Sequence, residues 1–300
     1  MASSVQDDVI EAPRRFKVDC DLKYEVQSPA HFVFQVEAVE SGQLVIDESL
    51  TLTPSGSVQR HTHGPSGNRL IRMDVMPGIF ELNYRATVEL APPLPSPPGM
   101  GLPESPVASI PFDYIHLLAP TRYCESDLLA SATLKMFSQY APGWQRVEGI
   151  RQWIHDNIEY AIGSTTSTST ACDVFLQRKG VCRDFAHLGI AFCRALNIPA
   201  RFVVGYVKFP EGAPDFHAVF EAWLGNRWVL FDATEMAPID ELIRVGTGRD
   251  AKDVPFATLF GDARMLSMSP AVEPLGGLTL AASMPAAAPK PHLARPAYAV

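Results

Sequence analysis

Gly180-Val181-Cys182-Arg183-Asp184-Phe185-Ala186, then His217-Ala218-Val219-Phe220-Glu221-Ala222-Trp223, then Trp228-Val229-Leu230-Phe231-Asp232: the stretch from 180 to 232 decides the fold. It supplies a thiol, an imidazole and a carboxylate, in that order. Gly180 ends whatever precedes it. From Phe185 the apolar residues Phe185, Leu188, Phe192, Cys193 and Leu196 recur at three and four, so the spacing predicts an amphipathic helix with Cys182 in its first turn. There, unpaired backbone N–H groups and the positive end of the helix dipole favour the thiolate, which is the nucleophilic form. Cys193, on the buried stripe, reads as a small core residue.

Asn197-Ile198-Pro199 stops this helix, because proline disfavours helical geometry in the residue before it. Arg201 to Val207 reads as a strand, and Lys208 to Phe216, with two prolines and a glycine, as a loop. Gly225-Asn226 between two alternating runs signals a two-residue hairpin, with glycine taking the positive φ of a type II′ turn. That register sets Leu224 opposite Arg227, Trp223 opposite Trp228 and, counting outward, Val219 opposite Asp232. His217 and Asp232 then project to one side as diagonal neighbours, roughly 7–8 Å apart at Cα, within reach of each other's side chains. A turn of odd length would separate them.

These residues carry a resemblance. Gly-Val-Cys-Arg-Asp-Phe-Ala-His-Leu at 180 to 188, Ala195-Leu196-Asn197-Ile198-Pro199-Ala200-Arg201, Gly205-Tyr206, His217-Ala218 and Asp232-Ala233-Thr234 resemble the core of the bacterial transglutaminase-like superfamily over roughly residues 145 to 260. The resemblance implies a papain-like triad: Cys182 as nucleophile, His217 as its base and Asp232 as the group that orients the histidine. Gly248-Arg249-Asp250-Ala251-Lys252-Asp253-Val254-Pro255 is similar to a stretch that follows the triad in bacterial members, with alanine where tyrosine is common, and receives no catalytic role.

The 300 residues, about half apolar, suffice for two domains with real cores. Residues 14–90 read as an all-β sandwich-like domain: Phe16 to Val26, His31 to Val39, Leu44 to Leu52, Val58 to His63, Leu70 to Val75 and Ile79 to Leu90 are strand-like, with Ser-Gly and Pro-Gly punctuation between them. This region also resembles the β domain that precedes the core in many bacterial members. Residues 91–120 begin with a proline-crowded run and read as an extended linker. The catalytic core is expected over 121–268, with helices at Ser126 to Tyr140 (Ser126 capping) and Trp144 to Ile158, a Ser/Thr surface loop at 162–170 and a short helix at Ala171 to Gln177. Residues 269–300, rich in Ala and Pro, read as a loosely ordered tail. The fold class is therefore α+β, a β domain followed by a papain-like core whose nucleophile starts a helix packed on an antiparallel sheet.

A net charge of −8 and an isoelectric point near 5.5 argue against nucleic acid or an anionic membrane as the main partner. No apolar run approaches bilayer length and Met1 to Pro13 is polar, so a cytoplasmic location is expected. Five scattered cysteines read as reduced thiols rather than a disulfide framework or zinc knuckles. His61 and His63 have two-ligand spacing without an obvious third ligand and read as a solvated strand end; no metal or cofactor is expected. Arg183 and Asp184 read as structural pairs beside the thiol, and Trp223 and Trp228 as a cross-strand pair. The expected chemistry is acyl transfer through a thioester on a peptide or amide substrate, with the Cys182 backbone N–H as one oxyanion donor and no side chain assigned beside it. Hydrolysis is the first reading, transamidation the second, and a binding protein that keeps the fold the third.

Overall fold

Phe16, Val18, Cys20, Leu22, Tyr24 and Val26 occupy alternate positions of strand β1 (Arg14–Val26), and every one is buried. This period-two pattern lets one face of the strand enter a core while the other meets solvent. The computed structural model describes residues 14–64, 66–92, 100–210 and 215–275. After β1 come β2 (Ala30–Phe34), β3 (Gln43–Thr53), β4 (Gln59–Thr62), β5 (Arg69–Val75) and β6 (Gly78–Leu90). Three helices follow: α1 (Phe112–Ile115), α2 (Ser126–Phe137) and α3 (Trp144–Asn157). Next are β7 (Glu159–Tyr160), α4 (Ala171–Gln177), β8 (Lys179–Gly180) and α5 (Cys182–Ala195). Then come β9 (Ala200–Tyr206), β10 (Phe216–Leu224), β11 (Arg227–Phe231) and β12 (Ile243–Gly248), and finally β13 (Ala257–Phe260) and β14 (Ala263–Leu275).

The β domain is two four-stranded antiparallel sheets, ordered β14-β1-β6-β3 and β13-β2-β5-β4, that share one apolar core. Two of those strands correct the boundaries drawn from sequence. Residues 257–260 and 263–275 do not belong to the catalytic core or to a loose tail; they return to the β domain, where β13 pairs with β2 and β14 runs antiparallel to β1 from Ala263 to Leu275. Ala/Pro composition concealed this. Pro270 is tolerated because β14 is an edge strand, where a missing N–H breaks no ladder on the outer side. Without β14 the long β1 would expose its own edge. Residues 276–300 lie outside the described residues.

The half expected to be catalytic is built on the antiparallel sheet β11-β10-β9-β12 and the helix α5. Strand β10 is buried along its whole length. Its Phe220 presses against Gly189 of α5, where an added Cβ would lie 2.5 Å from the ring, so only glycine admits this close packing. Helices α2, α3 and α4 cover the other sides of α5. As a result α5 buries His187 and Arg194 along with its predicted apolar stripe. The Arg194 guanidinium is satisfied by carbonyls: it donates to Ala200 O (2.8 and 3.2 Å), Ala119 O (3.2 Å) and Arg249 O (2.6 Å), which ties the end of α5 to three neighbouring segments.

Smaller differences have local causes. Ser126 is the first residue of α2 rather than its cap, and Glu125 precedes it without a side-chain cap bond. The capping box lies at α4, where Thr170 and Asp173 exchange hydrogen bonds. Residues 100–120 are docked rather than free: Trp144 N–H donates to Leu102 O, Gly225 N–H to Pro103 O, and Glu104 accepts from Gly143 N–H and Arg146. Pro93 to Gly99 lie outside the described residues.

The two halves share a core. Tyr206, Phe216, Ile243 and Val245 of the catalytic sheet belong to the β-domain cluster, and the Tyr206 hydroxyl donates to Val36 O at 2.5 Å. Phe216, stacked on Phe256 at 5.5 Å, is the residue before His217, so the β domain holds the strand just where the histidine begins. Deleting residues 263–275 should therefore cost the protein its fold: we expect a melting temperature lowered by more than about 10 °C, or loss of a cooperative transition in calorimetry. A deletion that melts like the intact chain would contradict the role given to β14.

Candidate active site

Cys182 is the first residue of α5, following an extended Val181. Valine offers no acceptor to cap the helix, and Asp184 makes the start instead: its Oδ2 accepts from Val181 N–H at 2.9 Å and from the Thr165 hydroxyl at 2.6 Å. Arg183 pairs with Asp184 at 3.1 Å and also reaches Thr165 and Thr166. Gly180 is required here, since an added Cβ would stand 2.7 Å from the Asp184 Cβ. Arg183 and Asp184 thus hold the turn that presents the cysteine. The Ser/Thr loop read as a plain surface loop is pinned to that turn through Thr165.

The hairpin places the other two residues. Gly225 and Asn226 have φ of 54° and 60°, so the turn is type I′ rather than the expected II′; asparagine tolerates the left-handed region well enough to take the second position. Both turns have two central residues, so the register is the expected one, with Leu224 opposite Arg227, Trp223 opposite Trp228 and Phe220 opposite Phe231. His217 and Asp232 meet: His217 Nε2 and Asp232 Oδ2 are 2.8 Å apart, both side chains buried. Asp232 Oδ1 accepts from the Thr234 N–H (2.8 Å) and hydroxyl (2.7 Å), which leaves Oδ2 for the imidazole.

The electrostatics follow. Burial disfavours the His217 imidazolium, but the hydrogen bond and charge of Asp232, together with the neighbouring Cys182, lift the group to about 10. Burial would raise Asp232, and the His217 and Thr234 hydrogen bonds outweigh it to hold the carboxyl below its usual range. With Nε2 committed to Asp232, the buried Nδ1 makes no hydrogen bond of its own, and the Cys182 sulfur is the neighbour that acts on the ring beside Asp232. The ring edge of Phe209 packs 5.3 Å from the imidazole.

Sequence reasoning missed Tyr160. Strand β7 pairs in parallel with β8, Tyr160 opposite Gly180, which carries the tyrosine to the start of α5. Burial, and then the charge of the neighbouring Cys182, push the Tyr160 phenol up. No local pattern announces a two-residue parallel pairing.

The other cysteines differ in kind. Cys20, Cys124 and Cys193 are buried and burial pushes their thiols up, to about 12 for Cys20 and Cys124; burial and Glu125 push the half-buried Cys172 to about 11. The stretch from Gly248 lies behind α5: Ala251 N–H donates to His187 Nε2, Asp250 caps a 3-10 turn, and Arg249 pairs with Asp253. A cavity of about 610 Å³ is lined by His63, Tyr114, Leu117, Arg201 and Arg249 among others and by none of Cys182, His217 or Asp232. His61 is exposed on β4, and among the described residues no three His, Cys, Asp or Glu side chains are grouped to hold a metal. No helix among them is long and apolar enough to cross a membrane.

A cysteine at a helix start and a buried His–Asp pair on an antiparallel sheet are the groups that a papain-like arrangement would use. Residues 132–233 match the model of the transglutaminase-like superfamily, and residues 14–92 that of the bacterial transglutaminase N-terminal domain. A crystal structure from Cytophaga hutchinsonii, described as a "Putative Cysteine Protease", is 38% identical with a TM-score of 0.82, over 89% of this chain and 92% of that one. An uncharacterised protein of Mycobacterium leprae is 31% identical over 46% of this chain and 52% of its own length, and one of Mycobacterium tuberculosis is 35% identical over 34% of this chain and 37% of its own. This chain thus spans about half the length of the first of these relatives, or less. It belongs to the transglutaminase-like superfamily.

The His217 shift carries a pH signature. Raised above its unfolded value near 6.5, the imidazolium stabilises the fold fully below that pH, and the contribution fades as pH climbs to about 10. Asp232, held low, contributes above its unfolded value near 3.8 and loses that contribution as pH falls through its folded value. The urea midpoint of the wild type should exceed that of His217→Gln most between about pH 4 and 6.5, and the two should converge toward pH 10. A difference that stays constant from pH 6 to 10 would contradict the assignment.

Proposed function

We propose that the protein is a thiol-dependent amide hydrolase, a cysteine peptidase or amidase, with Cys182 as nucleophile, His217 as base and then acid, and Asp232 as the group that orients the imidazole. The observation that carries this is the buried His217–Asp232 pair, whose free ring nitrogen is left for a thiol at a helix start. His217 takes the Cys182 proton, and the sulfur attacks the amide carbonyl. The tetrahedral oxyanion is received by the Cys182 backbone N–H, with the hydroxyl of Tyr160, carried toward the start of α5 by its pairing with Gly180, as the second donor. His217 then protonates the leaving amine, which departs to give a thioester. Water, deprotonated by the same imidazole, attacks the thioester and releases the acid and the free thiol. Asp232 keeps the ring oriented and stabilises its charged form throughout. The likeness to the Cytophaga protein supports hydrolysis over transfer to a second amine.

Substoichiometric iodoacetamide at pH 6.5 should label Cys182 ahead of the other four cysteines, and His217→Ala should slow that labelling by about tenfold or more. Equal slow labelling in both proteins would favour a binding protein that merely keeps the fold. In a screen of peptides and amides, Cys182→Ala should abolish turnover, and Tyr160→Phe should lower kcat by roughly 10²-fold with little change in KM, the mark of a contact made in the transition state. Incubation with a glutamine-containing peptide and a labelled amine separates hydrolysis from transamidation: a cleaved bond or released ammonia without incorporated label supports hydrolysis, and incorporated label overturns it.

A further inference from the structure

Glu235, three residues past Asp232, has a φ of 54°, in the left-handed region that glycine or asparagine enters more cheaply than glutamate. A side chain held in that conformation beside a reactive site calls for a reason. Its carboxylate supplies one: Oε1 accepts from Arg151 Nη1 at 2.5 Å, and Oε2 lies 3.7 Å from His155 Nε2. Both partners stand on α3, one turn apart. Arg151 is largely buried and is itself fixed by Glu148, which accepts from its Nε and Nη2 at 2.6 to 2.9 Å. His155 donates its Nδ1–H to Ala233 O at 3.3 Å. Helix α3 therefore grips the chain on both sides of Thr234, at Ala233 and at Glu235. Between the two grips Thr234 turns both of its donors onto Asp232 Oδ1, the N–H at 2.8 Å and the hydroxyl at 2.7 Å. The same hydroxyl oxygen accepts from Met236 N–H at 3.2 Å; that group can only donate, so the hydroxyl proton goes to the carboxylate. Glycine at 235 would take this φ without strain but would bring no carboxylate to α3.

We propose that Glu235 is a positioning residue for the reactive set: tied to Arg151 and His155, it holds the 233–236 turn so that both Thr234 donors fall on Asp232 Oδ1 and Oδ2 is left to the imidazole. This rests on Asp232 orienting the His217 base. The Glu235 carboxylate bonds to α3 and to none of Cys182, His217 or Asp232, so its effect passes through the turn. With the grip released, the turn can relax, the two donors on Oδ1 loosen, and the buried carboxylate is free to rotate away from Nε2.

Iodoacetamide labelling of Cys182 in the full chain at about pH 6.5, followed by peptide mass spectrometry, reads this coupling without a known substrate. Glu235→Gln and Glu235→Gly, each with circular dichroism matching the wild type, should slow labelling by about threefold, the size expected of an ion pair partly open to solvent. Glycine relieves the φ and should still fail to restore the rate. Thr234→Val should slow labelling by about tenfold, and Thr234→Ser, which keeps the donor, should recover most of that loss. A general loosening of the fold is separated by repeating Glu235→Gln in a His217→Ala background, where a residue that acts through the Asp232–His217 pair has no further effect. A Glu235→Gly protein that labels as fast as the wild type, or a slowing that persists undiminished in the His217→Ala background, overturns the Glu235 assignment alone. Labelling that His217→Ala itself does not slow would instead remove the base, and this assignment with it.

Discussion

The site depends on a parity. His217 lies near the start of β10 and Asp232 one residue beyond β11, and they share a face only because the turn at Gly225-Asn226 holds two residues. Adding or removing one residue there would send the carboxylate to the opposite side of the sheet, and no side-chain rotation would recover it. The chain guards the turn accordingly. Positive φ at both central positions matches the twist of the strands, Gly225 N–H is held by Pro103 O, and Trp223 and Trp228 pack across the hairpin at 5.2 Å, with Tyr114 against both.

Buried charge is matched throughout the catalytic half. Glu221, at the centre of β10, pairs with Arg201 at 2.7 Å and with Arg244, so strands β9, β10 and β12 are joined by one carboxylate; opposing arginines outweigh burial and hold its carboxyl low. Arg201 also lies over the Trp228 ring at 4.2 Å. Asp184 and Arg194 do comparable work at the two ends of α5, one with backbone and hydroxyl donors and the other with carbonyl acceptors. Removing a single partner from any of these sets would strand a buried charge, which is costlier than losing the contact itself. These ties fix both ends of the cysteine-bearing helix against the sheet that bears the histidine.

What could be read from the residues was what is local. The period of Phe185 to Leu196 placed the helix, the alternation of β1 placed its buried face, and the two-residue turn placed His217 against Asp232. What escaped was non-local or masked by composition. Tyr160 is brought to the start of α5 by a parallel pairing with Gly180, and Asp184 finds Thr165 across a loop; neither leaves a mark in its own neighbourhood. The return of residues 263–275 to β1 was hidden by Ala and Pro, residues that disfavour strands in general and are accepted at an edge. The turn is type I′ rather than II′ because Asn226 adopts the left-handed conformation at its second position, a choice that the dipeptide Gly-Asn leaves open.

That return has a consequence for how the molecule is made. Arg15 aligns with Leu275, so the first sheet waits for residues 263–275 before its outer strand can arrive. During synthesis the catalytic half emerges whole while the older sheet still lacks a border. The thiol-bearing helix can thus acquire its local contacts early, yet Phe216, behind the histidine, leans on Phe256 and on a hydrophobic cluster completed by Val272. The setting of His217 is in this way tied to a late step of synthesis: β14 must emerge from the ribosome before the cluster behind the histidine is complete.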